Sequence, residues 1–165
     1  VSQWKFLRLR PANFPTVRIA QLAVLIHQST HLFSKILEAE TLRELEHLFD
    51  VQIQGYWRDH FQFDKPSVSR VKSLGRDFVH LLVVNTIVPF LFFYGKQKGL
   101  EALSKRALRL LEEIPPESNA VLDGWGTLGV AVHNAYQTQA LIHLKTRYCD
   151  AKRCLECGVG NAILK

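Results

Sequence analysis

FVHLLVVNTIVPFLFFY, residues 78–94, is the stretch of the chain that decides the fold, because it holds no Asp, Glu, Lys or Arg. A membrane-spanning helix needs about 20 predominantly apolar residues, whereas this run is shorter and includes His80, Asn85 and Pro89. We therefore predict a helix in a protein core and no membrane span. The helix should be apolar on all sides because other helices surround it. Pro89 should kink it by crowding the carbonyl of Asn85.

Helical patterns occur on the N-terminal side of this run. Pro15 suits the first turn of a helix, and apolar residues continue at helical spacing to about His31. Thr41 and Glu44 have the spacing of a capping box, which predicts the start of a second helix. Residues 51–67 match neither the helical nor the strand period, and we predict that they are irregular.

Two further helices are predicted on the C-terminal side, over residues 100–114 and about 132–148. Between them, Gly124, Gly126 and Gly129 predict an irregular connection. The fold class that follows is all-α: an irregular helical bundle around a central apolar helix. Residues 4–10 alternate large apolar and basic side chains, which predicts a short extended N-terminal arm.

Length and composition indicate one domain over residues 1–165, since 165 residues with 47% hydrophobic content can bury a substantial core. The chain has no initiator Met and opens in the middle of an apolar and basic alternation, so we expect it to be the C-terminal part of a longer protein. It has no export-signal pattern, and its three cysteines lie too close together for a disulfide framework. These features favour a cytoplasmic location.

The net charge of +6 comes from the two ends of the chain. Residues 1–37 contain five basic residues and no acidic one, and residues 143–165 contain five basic and two acidic residues. If the two ends meet, they form one positive face that attracts phosphate, nucleic acid or an acidic partner. The alternative is that the first segment adjoins a part of the protein that precedes this chain.

A candidate anion-binding site lies at the start of the chain and consists of Arg8, Arg10, Asn13 and Arg18. Guanidinium groups bind phosphate or carboxylate through two hydrogen bonds, and the N-terminus of the first helix favours negative charge at the same place. The structural alternative is that these arginines cap carbonyl groups or pair with acids of a neighbouring helix.

A second candidate site is the cysteine knuckle, which we define as Cys149, Cys154 and Cys157 followed by Gly158 and Gly160. Thiolates at this spacing suit zinc, and His143 or His133 is the candidate fourth ligand. An iron–sulfur cluster is the weaker assignment, because the plant-type motif needs a fourth cysteine. Two alternatives remain open: the cysteines pack under the last helix, or Cys154 is a reactive thiol beside basic residues.

Four other polar residues could take part in chemistry: Asp59, His60, His80 and Asn85. Asp59 and His60 are adjacent in an irregular segment, so we expect their side chains to point apart. His80 and Asn85 should be bonded to backbone groups, because burial without a partner is costly. We find no phosphate loop, dinucleotide fingerprint, nucleophile elbow or paired carboxylates, so nothing in the sequence is positive evidence for an enzyme.

Two blocks at opposite ends of the chain, FLRLRPANFPTVRIAQLA at residues 6–23 and YCDAKRCLECGVG at residues 148–160, carry a family resemblance. They resemble the C-terminal half of a bacterial family described only as a domain of unknown function, family 2851. The resemblance implies that another domain precedes this region and is a partner of it. It also implies that the arginine-proline block and the cysteine knuckle are recurring features. It brings no activity and no catalytic residue.

These observations lead to three hypotheses about function. The first is a non-catalytic binding or scaffolding module with a basic face for an anionic partner, of which nucleic acid is the most ordinary. The second is part of a metal-dependent enzyme with zinc at the cysteine knuckle. The third is a structural cap for a preceding catalytic domain, which would expose a large apolar patch.

Overall fold

The computed structural model describes Phe6 and residues 9–164, except for the side chain of Pro11. Most of the predicted N-terminal arm, including Arg8, lies outside the described residues. The chain divides into two compact units, Val1–Asn85 and Thr86–Lys165.

The all-α prediction is confirmed: helices dominate the described part of the chain, and the sheet found there is one small hairpin. The first unit contains the helices and strands α1 Pro15–Gln28, α2 Leu32–Glu38, α3 Leu42–Leu48, β1 His60–Gln62, β2 Lys65–Pro66 and α4 Arg76–Leu82, with 3-10 turns at Pro11–Asn13 and Gly55–Arg58. A π-helical segment, Val83–Ile87, contains the boundary between the units. The second unit contains α5 Val88–Lys98, α6 Glu101–Glu113, α7 Ala120–Thr127, α8 Ala135–Leu144 and α9 Gly158–Leu164, with a π segment at Lys145–Cys149 and a 3-10 turn at Cys154–Glu156.

Helix α1 begins where Pro15 predicts, because the first turn of a helix leaves backbone N–H groups without an intrahelical partner. It ends three residues before the predicted His31, which adopts a left-handed φ of 63° ahead of α2. The buried face of α1 includes Val17 and Ala20, which form a small core with Ile53. Three aromatic side chains pack against this core: Phe14, Trp57 and Phe61.

The capping box at the start of α3 is confirmed. The amide of Glu44 donates to the hydroxyl oxygen of Thr41 at 3.3 Å, and the Thr41 amide donates to the Glu44 carboxylate at 3.3 Å. Residues 51–67 are largely irregular, as predicted, apart from a 3-10 turn and the hairpin of β1 and β2. Asp64 lies in the two-residue connection of that hairpin and has a left-handed φ of 56°.

The long apolar helix is present, but the prediction that other helices surround it on all sides is wrong. Leu81, Phe90 and Phe93 are exposed, whereas Val83 and Leu91 are fully buried. The π segment Val83–Ile87 stands directly before Pro89, where the missing N–H of the proline interrupts the regular ladder. The continuous helix Arg76–Lys98 is long and apolar enough to cross a membrane by length and composition alone, a property that core helices share.

In the second unit, α5 packs on α6, and α6 also packs on α8. Gly99 ends α5 with a left-handed φ of 67°, and the Leu100 amide donates to the Gly95 carbonyl at 2.8 Å. The prediction of an irregular connection around Gly124 and Gly126 is wrong, because both lie inside α7. Asn119 caps α7 by accepting hydrogen bonds from two amides of its first turn, and this cap outweighs the low helix propensity of glycine.

Candidate functional site

The structure brings Asn13 and Arg18 of the predicted anion site together. One terminal nitrogen of Arg18 donates to the Asn13 side-chain oxygen at 2.6 Å, and the other donates to Gln21 at 2.9 Å. The guanidinium also lies 3.7 Å from the ring centroid of Phe78, and burial lowers the pKa of Arg18. Arg18 is therefore held by internal partners, and Arg8 lies outside the described residues. Arg10 is exposed and contributes to a different place on the surface.

That place is a cleft of about 560 Å³ in the first unit, which we call the basic cleft. Its lining includes three cations, Arg10, Arg70 and Lys72, and two hydroxyl groups, those of Ser67 and Ser73. None of the described residues that line it is acidic. Since low-dielectric walls strengthen the field of charges in a concave surface, the cleft should attract anions more strongly than scattered surface cations do.

Lys72 is the inner cation of the basic cleft, with an exposed fraction of only 6%. Its ammonium group donates to the backbone carbonyls of Trp57 at 2.5 Å and Arg58 at 2.9 Å, and it lies 4.2 Å from the ring centroid of Phe61. Burial lowers the pKa of Lys72, and the charge of Asp59 partly opposes that shift. The side chain therefore both places a charge in the cleft and fixes the turn before β1.

The floor of the cleft is positioned by Gln21, a buried residue of α1. Its side-chain amide donates to the carbonyl of Ser73 at 3.0 Å and more weakly to that of Lys72 at 3.4 Å. Its oxygen accepts from Arg18. Arg18 thus supports the basic cleft indirectly, because it orients Gln21, which in turn holds the backbone at Lys72 and Ser73.

The hairpin next to the cleft contains an Asp–His pair that the sequence analysis did not expect. The Nδ1 atom of His60 lies 2.7 Å from a carboxylate oxygen of Asp59 and 3.0 Å from the carbonyl oxygen of Tyr56. The prediction that Asp59 and His60 point apart is wrong, because the 3-10 turn before β1 folds the chain back on itself. The hydrogen bond from His60 lowers the pKa of Asp59.

A second pocket, about 960 Å³ in volume, lies between α2 and α3. It is larger than the basic cleft, but its lining mixes two basic residues with three acidic ones, Glu38, Glu44 and Asp50. Glu44 is already engaged in the capping box. We therefore place the candidate site in the smaller cleft, where the charges have one sign.

The cysteine knuckle forms a tight backbone turn in the second unit. The Cys157 amide donates to the Cys154 carbonyl at 3.3 Å, and a Cβ at Gly160 would overlap that same carbonyl oxygen. Cys149 and Cys154 are exposed, and Cys157 is buried.

The candidate fourth ligands of the cysteine knuckle lie on different parts of the second unit. His143 is on α8, with its ring edge-on to Tyr148, and His133 precedes that helix. Among the residues that the structure describes, no three His, Cys, Asp or Glu side chains form a group that could hold a metal ion. Zinc at the knuckle stays a prediction.

His80 and Asn85 of the apolar helix have different hydrogen-bond partners. Asn85 donates to the carbonyl of Leu81 at 3.0 Å, which is the expected backbone bond, but the residue is exposed and the predicted burial is wrong. His80 does not bond to backbone as expected: its Nε2 lies 2.7 Å from a carboxylate oxygen of Glu46 on α3. Arg76 binds both oxygens of the same carboxylate, at 2.9 and 3.2 Å.

Arg70 and Lys72 line the basic cleft but were not predicted from the sequence as site residues. A signal for them was present, because residues 67–73 read SVSRVKS and place basic residues among small polar and apolar ones. The segment fits no regular secondary structure, so no periodicity indicates where its side chains lie. Of the predicted anion-site residues that the structure describes, Arg10 is the one that also lines the basic cleft.

Comparison with known proteins adds a family but no activity. A family model described as "Protein of unknown function (DUF2851)" matches residues 1–120. The match includes the arginine-proline block and excludes the cysteine knuckle. It lies on the N-terminal side of the chain, so it does not support the expectation that the chain is the C-terminal part of a longer family member. No curated protein and no solved structure matches the chain.

Proposed function

We propose that this chain, which belongs to the DUF2851 family of proteins of unknown function, is a non-catalytic binding module whose basic cleft binds the phosphate groups of a nucleic acid. The observation that carries the proposal is the cleft itself, where Arg10, Arg70 and Lys72 lie together without an acidic residue among the described lining residues. A cytoplasmic location, where nucleic acid is accessible, is part of the same proposal.

The two arginines and the lysine have different tasks in this proposal. Arg10 and Arg70 are exposed, so their planar guanidinium groups can turn toward a phosphate and donate two hydrogen bonds each. Lys72 is held by carbonyl oxygens and cannot follow the ligand, so it contributes a fixed positive charge. Ser73 adds a hydroxyl group at the same surface, whereas the Ser67 hydroxyl already donates to the Asp59 carbonyl at 2.9 Å.

Nucleic acid fits this surface better than a single small anion does. The chain as a whole has a net charge of +6 and a pI near 9.4. A polymer with one phosphate per nucleotide gains from cations spread along its path, because each phosphate contact releases condensed counterions.

The alternative of a zinc-dependent enzyme gains nothing comparable. The alternative of a structural cap has some support, because Ile19, Leu22 and Ile26 on α1 are at least half exposed, but these residues do not indicate what would cover them. On the described residues, the cysteine knuckle lacks a gathered ligand set. The His60 ring nitrogen contacts the Asp59 carboxylate and the Tyr56 carbonyl, and neither group is a hydroxyl or thiol nucleophile. We therefore keep binding as the proposed function.

The test is a binding titration with a short labelled oligonucleotide at low salt, followed by fluorescence anisotropy. The double variant Arg10→Gln/Arg70→Gln should weaken binding about tenfold or more, because two charge-assisted contacts are lost. The matched control is Arg147→Gln, which removes an exposed arginine of the second unit and should change the affinity less than twofold. No binding by the unmodified protein, or an equal loss in the control, would contradict the proposal.

A further inference from the structure

Three aromatic side chains of the 3-10 turn and of the hairpin connection in the first unit form a cluster, which we call the aromatic platform: Tyr56, Trp57 and Phe63. The ring of Trp57 stands edge-on to Tyr56 at 5.2 Å and to Phe63 at 5.0 Å between centroids. Tyr56 is 43% exposed and Phe63 is 64% exposed. Large aromatic rings are usually buried, so two exposed rings beside each other are an informative exception.

The platform is held in place by its own hydrogen bonds and packing. The Asp64 amide in the hairpin connection donates to the Tyr56 hydroxyl at 2.8 Å, and this bond ties the connection that carries Phe63 to the preceding turn. The Tyr56 ring stacks on His60 with a centroid distance of 3.9 Å. Trp57 packs on the small core of α1. Rings fixed in this way lose little conformational freedom when a ligand binds.

The aromatic platform and the basic cleft share structural supports. Trp57 belongs to the platform, and its carbonyl accepts a hydrogen bond from Lys72 of the cleft. Phe61, which lines the cleft, is two residues from Phe63. The platform and the cleft are therefore linked through the turn Gly55–Arg58, whose carbonyl groups accept from Lys72.

The charges around the platform are mixed but favour an anion. Residues 55–73 contain four basic side chains, Arg58, Lys65, Arg70 and Lys72, against the two acids Asp59 and Asp64. Asp59 is paired with His60. The excess of positive charge argues for an anionic ligand with flat apolar parts, since a purely apolar partner would leave these cations without compensation.

We infer that the aromatic platform stacks unpaired nucleobases, so that the ligand of the proposed function, on which this inference rests, is a single-stranded nucleic acid. Every nucleobase has a π face that can lie on the exposed ring of Phe63, while the sugar-phosphate backbone runs to the cations of the cleft. Tyr56, which already stacks on His60, supports that ring from the side. In a duplex these faces are covered by neighbouring bases, so a double strand can use the cleft but not the platform.

The experiment compares three labelled probes of one length: a single strand, an abasic strand with the same backbone, and a duplex. The unmodified protein should bind the single strand more tightly than the other two. Phe63→Ala should weaken single-strand binding about fivefold or more and leave the abasic strand within twofold. The control Phe93→Ala removes a ring of the second unit that is 62% exposed, and it should leave all three affinities unchanged.

Conservative variants separate stacking from simple apolar contact. Phe63→Tyr should retain the affinity for the single strand, and Phe63→Leu should lose it, because leucine has no π face. Equal affinity for the single and abasic strands, or full affinity in Phe63→Leu, would overturn the stacking inference while leaving the phosphate-binding cleft intact. No binding of any probe would overturn the inference and the proposed function together.

Discussion

Arg18 and Lys72 illustrate at the residue scale how a cation can organise a site without presenting its own donors to a ligand. Arg18 binds Asn13 and Gln21 and stacks on Phe78, and Lys72 binds two carbonyl oxygens. The sequence shows the charge of such residues but not the partners that occupy them. It therefore predicted Arg10 and Arg18 alike as anion-binding residues, and it could not show that Arg18 has partners on its own helix, in the preceding 3-10 turn and in a segment 60 residues away.

Glu46 accepts hydrogen bonds from His80 and Arg76, and it therefore links α3 to α4. Burial raises its pKa, but the hydrogen bonds and the charges of His80 and Arg76 together lower it by more, so the pKa of the folded state lies below the ordinary value. The carboxylate consequently stabilises the fold above the ordinary pKa, and this contribution is lost as the pH falls through the lowered one.

We expect Glu46→Gln to reduce the free energy of unfolding by about 1 kcal/mol at neutral pH, after allowance for the solvent exposure of Arg76. The difference from the unmodified protein should shrink as the pH is lowered, because the native carboxylate becomes protonated. Urea unfolding at a series of pH values measures it. Glu101→Gln is the control: its partner Lys105 and Glu101 are both largely exposed, so stability should hardly change. A difference that stays constant with pH would contradict the assigned electrostatic origin.

At the element scale, the α5–α6 hairpin depends on a close approach at Gly95. A Cβ at this position would lie 2.5 Å from the Ser104 hydroxyl oxygen, 2.9 Å from the Ser104 amide nitrogen and 3.0 Å from the Leu100 carbonyl oxygen. The hydroxyl can rotate away, but the two backbone atoms cannot move without separating the helices.

Gly95→Ala should therefore destabilise the protein by about 2 kcal/mol, as overpacking of a core does. The matched change Gly124→Ala adds the same methyl group inside α7, where nothing lies within 4 Å of the new atom. It should stabilise the protein by up to about 1 kcal/mol, because alanine has the higher helix propensity. Thermal and urea unfolding report both. Similar effects of the two substitutions would show that backbone crowding at Gly95 is not the cause.

Elements with a local signal were predictable from the sequence, whereas elements set by packing or by distant caps were not. Pro15 and the Thr41 capping box fixed the starts of α1 and α3, since both act within one turn. Gly124 and Gly126 gave a wrong prediction, because the Asn119 cap and tertiary packing outweigh the cost of glycine in a helix, about 1 kcal/mol per residue. The hairpin, and with it the candidate site, depends on contacts such as Thr16 to the Phe61 carbonyl, which no periodicity encodes.

At the scale of the whole molecule, the charge pattern offers two explanations for any binding of nucleic acid. One is a local site in which Arg10 and Arg70 of the basic cleft contact phosphates. The other is a diffuse attraction to the whole excess of +6, to which both ends of the chain contribute. The two differ in the number of counterions that binding releases, and this number can be measured.

For a single strand, each phosphate contact contributes about 0.7 to the slope of log K against log salt concentration. Contacts from Arg10 and Arg70 in the basic cleft therefore predict a slope of about −1.4, and Arg10→Gln/Arg70→Gln should bring it close to zero. Arg147→Gln should leave the slope of the unmodified protein in place, because that residue belongs to the second unit. A slope of about −4 or steeper, or one that falls equally in all variants, would mean that the whole basic surface binds and that the cleft has no special part in it.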